Sequence, residues 1–309
     1  MSGVVRVTTD VVWISIGSLL GVQTRLWLGA LFKDVLNVTA LNSALFPDLP
    51  VNALGPFLMG ILVANTEKVQ KLHPSMQSCL GTGYLGSATT FASWMWSSIV
   101  LLIRGKVASG IVALVIGTEL SLFSWRLGRQ VADIWEFYAS HQSPHKSNNS
   151  SESNDSSESN ESGGPLLSEN QLLLAGVPIL IMLLAAAAVA TAFNSKYRMF
   201  WIATLFAPGG TLLRWKLSSL NKRHAWFPVG TFVANTMAII VDIIVESILL
   251  RIVGASAVLS AITKGFAGCL STVSTFATEV FSIGPKIPIE MSSADEKRSA
   301  VRGTLHQYI

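Results

Sequence analysis

Eight stretches of about 20 mostly apolar residues, each long enough to cross the hydrocarbon layer of a bilayer as a helix, leave this chain little choice but a polytopic membrane fold. They lie at roughly 10–32, 49–66, 77–103, 107–131, 170–193, 197–218, 227–251 and 255–283. Half of the 309 residues are apolar and only 13% are charged, whereas a soluble domain is about one quarter charged. Every backbone group inside lipid needs a partner within the chain, so the expected class is all-α. Cys79 and Cys269 both fall inside apolar stretches and define no disulfide framework. The first residues, "MSGVVRVTTD", lead into an apolar run with no small-residue cleavage site, so no signal peptide is expected.

Between the fourth and fifth stretches, "SNNSSESNDSSESNESGG" has no periodicity and an acidic Ser/Asn bias, the composition of a disordered linker. It separates two halves that resemble each other. The first reads "GVQTRLWLG", "FPDLPVNALGPFLMG" and "GYLGSATTFASW"; the second reads "GGTLLRWKL", "FPVGTFVANTMAII" and "GFAGCLSTVSTFATE". Spacing is kept too: Asn52 to Phe91 is 39 positions, and Asn235 to Val273 is 38. The fifth stretch has no counterpart in either half. Four spans plus one crossing start the second half from the opposite side, which makes the repeats inverted. The organisation expected is a first repeat over 1–139, a linker over 140–169, an inverting helix over 170–193, a second repeat over 194–283 and a polar tail over 284–309. Lys68, Lys71, Arg126, Arg129, Lys146, Lys216, Lys222 and Arg223 then share one side, which puts the N-terminus and linker in the cytoplasm.

Polar groups inside the spans admit two readings each. Gly81, Gly83 and Gly86 either let helices pack closely or, with Ser87, Thr89 and Thr90, mark a broken helix whose freed carbonyls hold a small cation. The second half repeats the pattern at Gly265, Gly268, Ser271, Thr272, Ser274 and Thr275. Asn52 and Asn235 are either interhelical glue or uncharged donors for a small anion. Arg25 and Arg214 either snorkel or cap a helix C-terminus, or they draw anions into a vestibule. Phe91, Trp94 and Phe276 follow the breaks directly, and the positive edges of such rings can touch a dehydrated anion. Trp13, Trp27, Trp96 and Trp226 read as packing or an interfacial belt. Thr118, Ser121 and Ser124 form a hydroxyl stripe, either bonded back to carbonyls or offering a donor track.

These blocks, with "RQ" closing the fourth span, resemble the Fluc/CrcB fluoride channel family, and the fused layout resembles its eukaryotic fluoride export proteins. The likeness covers nearly all of the chain except its ends and linker. It implies two inverted four-helix units packed as an intramolecular pseudo-dimer, an integral protein of the plasma membrane, and passive, fluoride-selective export that confers fluoride resistance. By the same resemblance, a structural sodium ion is held by the carbonyls of Gly86, Thr89, Gly268 and Ser271. Fluoride passes Asn52, Phe91, Ser93, Trp94, Thr118, Ser121, Ser124, Asn235, Thr275 and Phe276, with Arg25 and Arg214 vestibular or structural. If each pore takes one aromatic from each half, Phe91 with Phe276 makes a good pore and Trp94 with Val273 a degenerate one, so one working pathway is expected.

The family layout also calls for a ninth span after "FATEVFSIG", where this chain continues "PKIPIEMSSADEKRSAVRGTLHQYI". The expectation is therefore eight spans with the last one missing, through a cut reading frame or a shortened form. Two alternatives follow: a non-conducting truncated paralogue or scaffold, and a proton-coupled anion transporter using Asp242, Glu246 and Glu119. No phosphate-binding Gly-Lys-Ser/Thr loop or metal-ligand cluster is present, so the chain is not expected to be an enzyme, nor to bind nucleic acid.

Overall fold

Backbone satisfaction within lipid leaves helices as the elements of this chain, and no strand occurs among the described residues. The computed structural model describes residues 2–142, 165–223, 226–249 and 257–283. The polar core of the linker, Arg251, which the sequence offers as a partner for Asp242 and Glu246, and the 284–309 tail, where the ninth span is at issue, lie outside them.

The first repeat comprises α1 (Ser2–Ala30), α2 (Leu49–Ala64), α3 (Thr66–Leu72), α4 (Pro74–Ser78), a π-helical turn (Cys79–Leu85), α5 (Gly86–Ala88), α6 (Phe91–Ile103) and α7 (Val107–Gln142). α8 (Glu169–Phe193) connects it to the second repeat: α9 (Arg198–Leu217), α10 (Val229–Leu249), α11 (Ala257–Ala261), a π-helical turn (Ile262–Ala267), α12 (Gly268–Leu270) and α13 (Ser274–Ile283). The third stretch of each half is thus helix, π turn, one short turn and then a new helix. α7 runs past position 139 to Gln142.

Among the described residues, six segments are long and apolar enough to cross a membrane: Gly3–Val35, Pro74–Ile103, Val107–His141, Glu169–Phe193, Val229–Leu249 and Ala257–Ile283. The pair Leu49–Ala64 and Thr66–Leu72, bent by 75°, makes a seventh if it is one span. The remaining expected stretch, 197–218, folds as α9, but its 20 residues carry Arg198, Arg214 and Lys216, and it is not among the six.

Local chemistry sets the helix ends. His73 caps α4, its Nδ1 accepting the Ser75 N–H at 3.1 Å, and Pro74 occupies the first turn, where no amide partner is lost. Ser168 and Gln171 form a capping box at the start of α8. That helix lies along α1 and α9, the first helices of both repeats, and the Trp13 indole donates to the Leu172 carbonyl at 3.2 Å.

The two halves pack by the same rule. Gly21 of α1 lies against the backbone of Tyr84, and Gly210 of α9 against that of Phe266, so each first helix rests directly on the π turn of its own half. A side chain at either glycine would push the break away. α13 then packs on α2 and α7 of the first repeat, and α6 packs on α10 of the second.

Candidate functional site

The chain breaks twice at equivalent places. Thr89 (φ −97°, ψ 151°) and Thr90 (φ −142°, ψ 123°) are extended between α5 and α6, and Ser271 (φ −88°, ψ 160°) is extended after α12. A helix begun in mid-membrane exposes amides that lipid cannot satisfy, and each break supplies the cap for the other. Ser271 Oγ accepts the N–H groups of Phe91 and Ala92, both at 3.1 Å. Thr89 Oγ1 accepts those of Val273 and Ser274, both at 3.2 Å. The hydroxyls also meet directly, with Thr90 Oγ1 and Ser271 Oγ 3.1 Å apart.

The asparagines fix each break from its own half. Asn52 donates to the Thr90 carbonyl at 2.9 Å and accepts the Thr90 N–H at 3.0 Å. Asn235 does the same with Thr272, at 3.3 and 2.8 Å. Those amides would, in an unbroken helix, bond Gly86 and Gly268. The Ser93 and Thr275 amides, which would bond Thr89 and Ser271, go instead to Thr90 Oγ1 at 3.4 Å and Thr272 Oγ1 at 3.3 Å. The carbonyls of Gly86, Thr89, Gly268 and Ser271 therefore lose their helical donors, and of these only Gly268 regains a long contact, 3.4 Å from Ser271 Oγ. The helix breaks at Thr89–Thr90, and Gly83 packs against the backbone of Ile14 and Gly17.

The arginines do not snorkel. Arg25 is 1% exposed and Arg214 is 4% exposed, and each crosses to the other half. Arg25 donates to the Lys264 carbonyl, and its guanidinium lies against Gly268. Arg214 donates through Nε to the Cys269 carbonyl at 3.0 Å and through Nη2 to the Thr82 carbonyl at 2.9 Å, with its guanidinium against Gly86. They cap carbonyls near the broken ends, which favours cations there. A Cβ at Gly86 or Gly268 would collide with these groups.

The aromatics sort unequally. Phe91 and Phe276, from opposite halves, meet with centroids 5.8 Å apart and planes at 61°. Trp94 also touches Phe91, at 5.1 Å, but is buried with Val273 in an apolar cluster and donates to the Ala113 carbonyl of α7 at 2.9 Å. On α7, Thr118 bonds back to Leu114 at 2.9 Å; Ser121 bonds Gly117 at 2.6 Å and reaches the Asn52 carbonyl at 3.2 Å. Ser124 borders an apolar recess with Leu49, Ala53 and Phe57. Glu119 faces outward.

Several groups were not singled out in the sequence. Asp48 accepts the Ser93 hydroxyl. Glu279 accepts from Thr231 at 2.6 Å and from Asn221 at 2.8 Å. Asp48 and Lys264 share a polar cavity with Arg25, Asp242, Glu246 and Trp96, and Asp242 is 5% exposed. The only local signal was the proximity of Asp48 and Lys264 to the Pro-Asn and Gly-x-x-Gly blocks. No group of three or more His, Cys, Asp or Glu poised for a metal occurs among the described residues.

A family model described as CrcB-like protein, Camphor Resistance (CrcB), matches the chain twice, over residues 12–129 and 201–289. A relative from Shewanella halifaxensis (strain HAW-EB4), named fluoride-specific ion channel FluC, is 29% identical over 122 residues, which are 40% of this chain and 94% of the relative. One of the same name from Shewanella baltica (strain OS185) is 31% identical over 108 residues, 34% of this chain and 86% of the relative. No solved structure matches. The breaks and their flanking helices lie inside the two matched regions.

Proposed function

Because the chain belongs to the CrcB-like family, we propose that it is a passive fluoride-selective channel, built as an intramolecular pseudo-dimer, that exports fluoride from the cytosol and gives fluoride resistance. The observation that carries this reading is the pair of mutually capped breaks with Phe91 and Phe276 meeting beside them. Two edges presented in one place contact an anion without the grip of a fixed positive charge. Fluoride gathers in cells because its acid form crosses lipid and dissociates. An inside-negative potential then drives the anion out, by about 2.3 kcal/mol per 100 mV for each charge.

One pathway is proposed, bounded by α2, α7 and α13, where Asn52, Ser121 and Phe276 lie. Its Ser121 hydroxyl is spent on backbone acceptors, so it reaches an anion only by rotating. Trp94 and Val273 fill an apolar cluster with Leu49 and support no second pathway. The test is fluoride efflux from liposomes containing the full chain, followed with an ion-selective electrode beside a chloride control. Release of fluoride without chloride is expected, with Phe276→Ala lowering the rate more than tenfold and Val273→Ala changing it less than twofold. Equal losses in both variants would refute the single pathway, and no release from the parent chain would refute the channel.

A sodium ion fits the four freed carbonyls, whose neutral oxygens suit a singly charged hard cation, as does the absence of carboxylates among them. Gly86, Thr89, Gly268 and Ser271 would hold it, and it would supply positive charge that ties the two breaks together. Arg25 and Arg214, seated on the same glycines, oppose it electrostatically and limit its affinity. The purified protein is expected to melt several degrees higher in sodium than in N-methylglucamine salts; equal melting temperatures would remove the ion from this reading.

We propose plasma-membrane residence with the N-terminus and linker cytoplasmic. Asn37, in the acceptor sequence "NVT", is exposed after the first span. Glycosidase treatment of protein made in a eukaryotic host should then remove sugar from Asn37 and none from the linker; sugar on the linker would invert the orientation.

A further inference from the structure

The charged cavity beside the first break has no part in the pathway above. Two bases, Arg25 and Lys264, and three acids, Asp48, Asp242 and Glu246, line it. Among the described residues none of the five joins an ion pair within 4.0 Å. Arg25 Nη1 and Asp242 Oδ1 are buried without any hydrogen-bond partner, an expensive state for a donor and an acceptor inside a membrane. Both belong to side chains at least nine-tenths buried, and both residues line this one cavity.

The repeat shows what the fold itself requires here. In register, Arg25 corresponds to Arg214, Asp48 to Thr231, Asp242 to Met59, Glu246 to Val63 and Lys264 to Thr82. Only the arginine is common to both halves. The other four charges are peculiar to this cavity, so capping the break does not explain them.

Their chemistry is mixed. The free N–H of Arg25 and the Lys264 ammonium are donors for an anion, but the three carboxylates leave the cavity one negative charge in excess when all five groups are ionised. An anion entering alone meets that excess. The carboxylates are not equivalent: Asp48 already accepts the Ser93 hydroxyl. Asp242 has an unpartnered oxygen, and Glu246, a second carboxylate, lies one helical turn away on the same helix. A proton on Asp242 cancels the excess charge and turns the orphan acceptor into an O–H donor.

We propose that this cavity is a proton-linked anion site, which takes up fluoride between Arg25, Lys264 and Asp242 together with one proton on the Asp242–Glu246 pair. The inference rests on the fluoride reading for the identity of the anion. Charge balances, since one anion and one proton enter and leave together. The channel remains passive; only the occupancy of this cavity depends on pH. α1 contributes Arg25, the turn before α2 contributes Asp48, α10 contributes Asp242 and Glu246, and the second π turn contributes Lys264 and Thr263; Thr90 of the break, Ser93 and Trp96 of α6 and Gly268 of α12 add no charge.

The full chain in detergent, weakly buffered near neutral pH, is titrated with sodium fluoride while proton uptake is followed with a pH indicator. About one proton per chain is expected on fluoride binding and none on sodium chloride. The apparent fluoride affinity should rise about tenfold for each unit fall in pH while the pair is ionised. Asp242→Asn with Glu246→Gln should abolish uptake and flatten that dependence, and Lys264→Gln should weaken fluoride binding at least tenfold while keeping the proton. Elution volume on gel filtration confirms that each variant is folded. Fluoride binding without proton uptake, or uptake that persists in the double variant, overturns the proposal whatever the efflux assay gives. Uptake that depends on the pair in a protein without efflux would keep the site and sink the channel.

Discussion

A chain carrying Thr89→Val together with Ser271→Ala is expected to fail to accumulate as folded protein. The two hydroxyls each accept two backbone amides from the opposite half, those of Phe91 and Ala92 on Ser271 and those of Val273 and Ser274 on Thr89. A hydroxyl oxygen has two lone pairs, and here both are used. Its hydrogen is used as well: Thr89 donates to Leu85 at 3.1 Å. Each orphaned buried amide costs about 1–3 kcal/mol, and water cannot replace the lost acceptor at this depth. Four orphans approach the whole net stability of a typical protein, about 5–15 kcal/mol. Either single substitution strands two amides and should leave a folded protein with a clearly lowered melting temperature. Ser271→Thr keeps the oxygen and should behave like the parent chain. Gel filtration in detergent and thermal melts read the series, and a monodisperse double variant melting within a few degrees of the parent would show that these caps hold little.

Part of this arrangement is legible in the sequence, and the reason is the repeat. One Gly-x-x-Gly block followed by hydroxyls is ambiguous, but two in register select positions whose local chemistry is shared. That points to Thr89 and Ser271, though not to which half each serves. An extended residue between two helices leaves its side chain free to cap either its own helix or a facing one, and only the crossing of the halves decides. The asparagines illustrate the same limit: composition offers an anion donor or a clamp, while the geometry commits one N–H and the carbonyl of each amide to the backbone of Thr90 or Thr272. Arg25 and Arg214 near span ends suit snorkelling by sequence position. Their burial follows from carbonyls exposed by π turns in the opposite repeat, a feature with no sequence signature of its own. Lys264 and Asp48 stayed unread because each is unremarkable until α1, α6 and α10 bring it beside Arg25.

Substituting Gly128 with leucine is expected to abolish fluoride flux with far less damage to folding than the double cap variant. α2 and α7 touch along most of α2, and the seam is closed by glycine on both sides: a Cβ on Gly128 would overlap the backbone of Phe57, and one on Gly60 would overlap that of Trp125 and Arg129. Backbone cannot turn aside as a side chain can, so the helices must separate. Overpacking of this kind costs about 1–3 kcal/mol, which a folded chain can absorb. The separation also pulls Ser121 from the Asn52 carbonyl, 3.2 Å away, and moves α7 off the aromatic pair that α6 and α13 contribute. Efflux should fall more than tenfold for Gly128→Leu. Gly81→Ala, whose Cβ would meet only Leu62 and Met59 side chains at 3.5 and 3.9 Å, should stay within twofold of the parent. The second repeat contains its own control. The counterpart of Gly60 is Ile243, 40% exposed on a face with Phe232, Ile240 and Ile244, so no helix presses on it among the described residues. Ile243→Ala should therefore be nearly silent in the same assay. If Gly128→Leu conducts like the parent, or Ile243→Ala fails as completely, the α2–α7 seam is not the wall of the pathway.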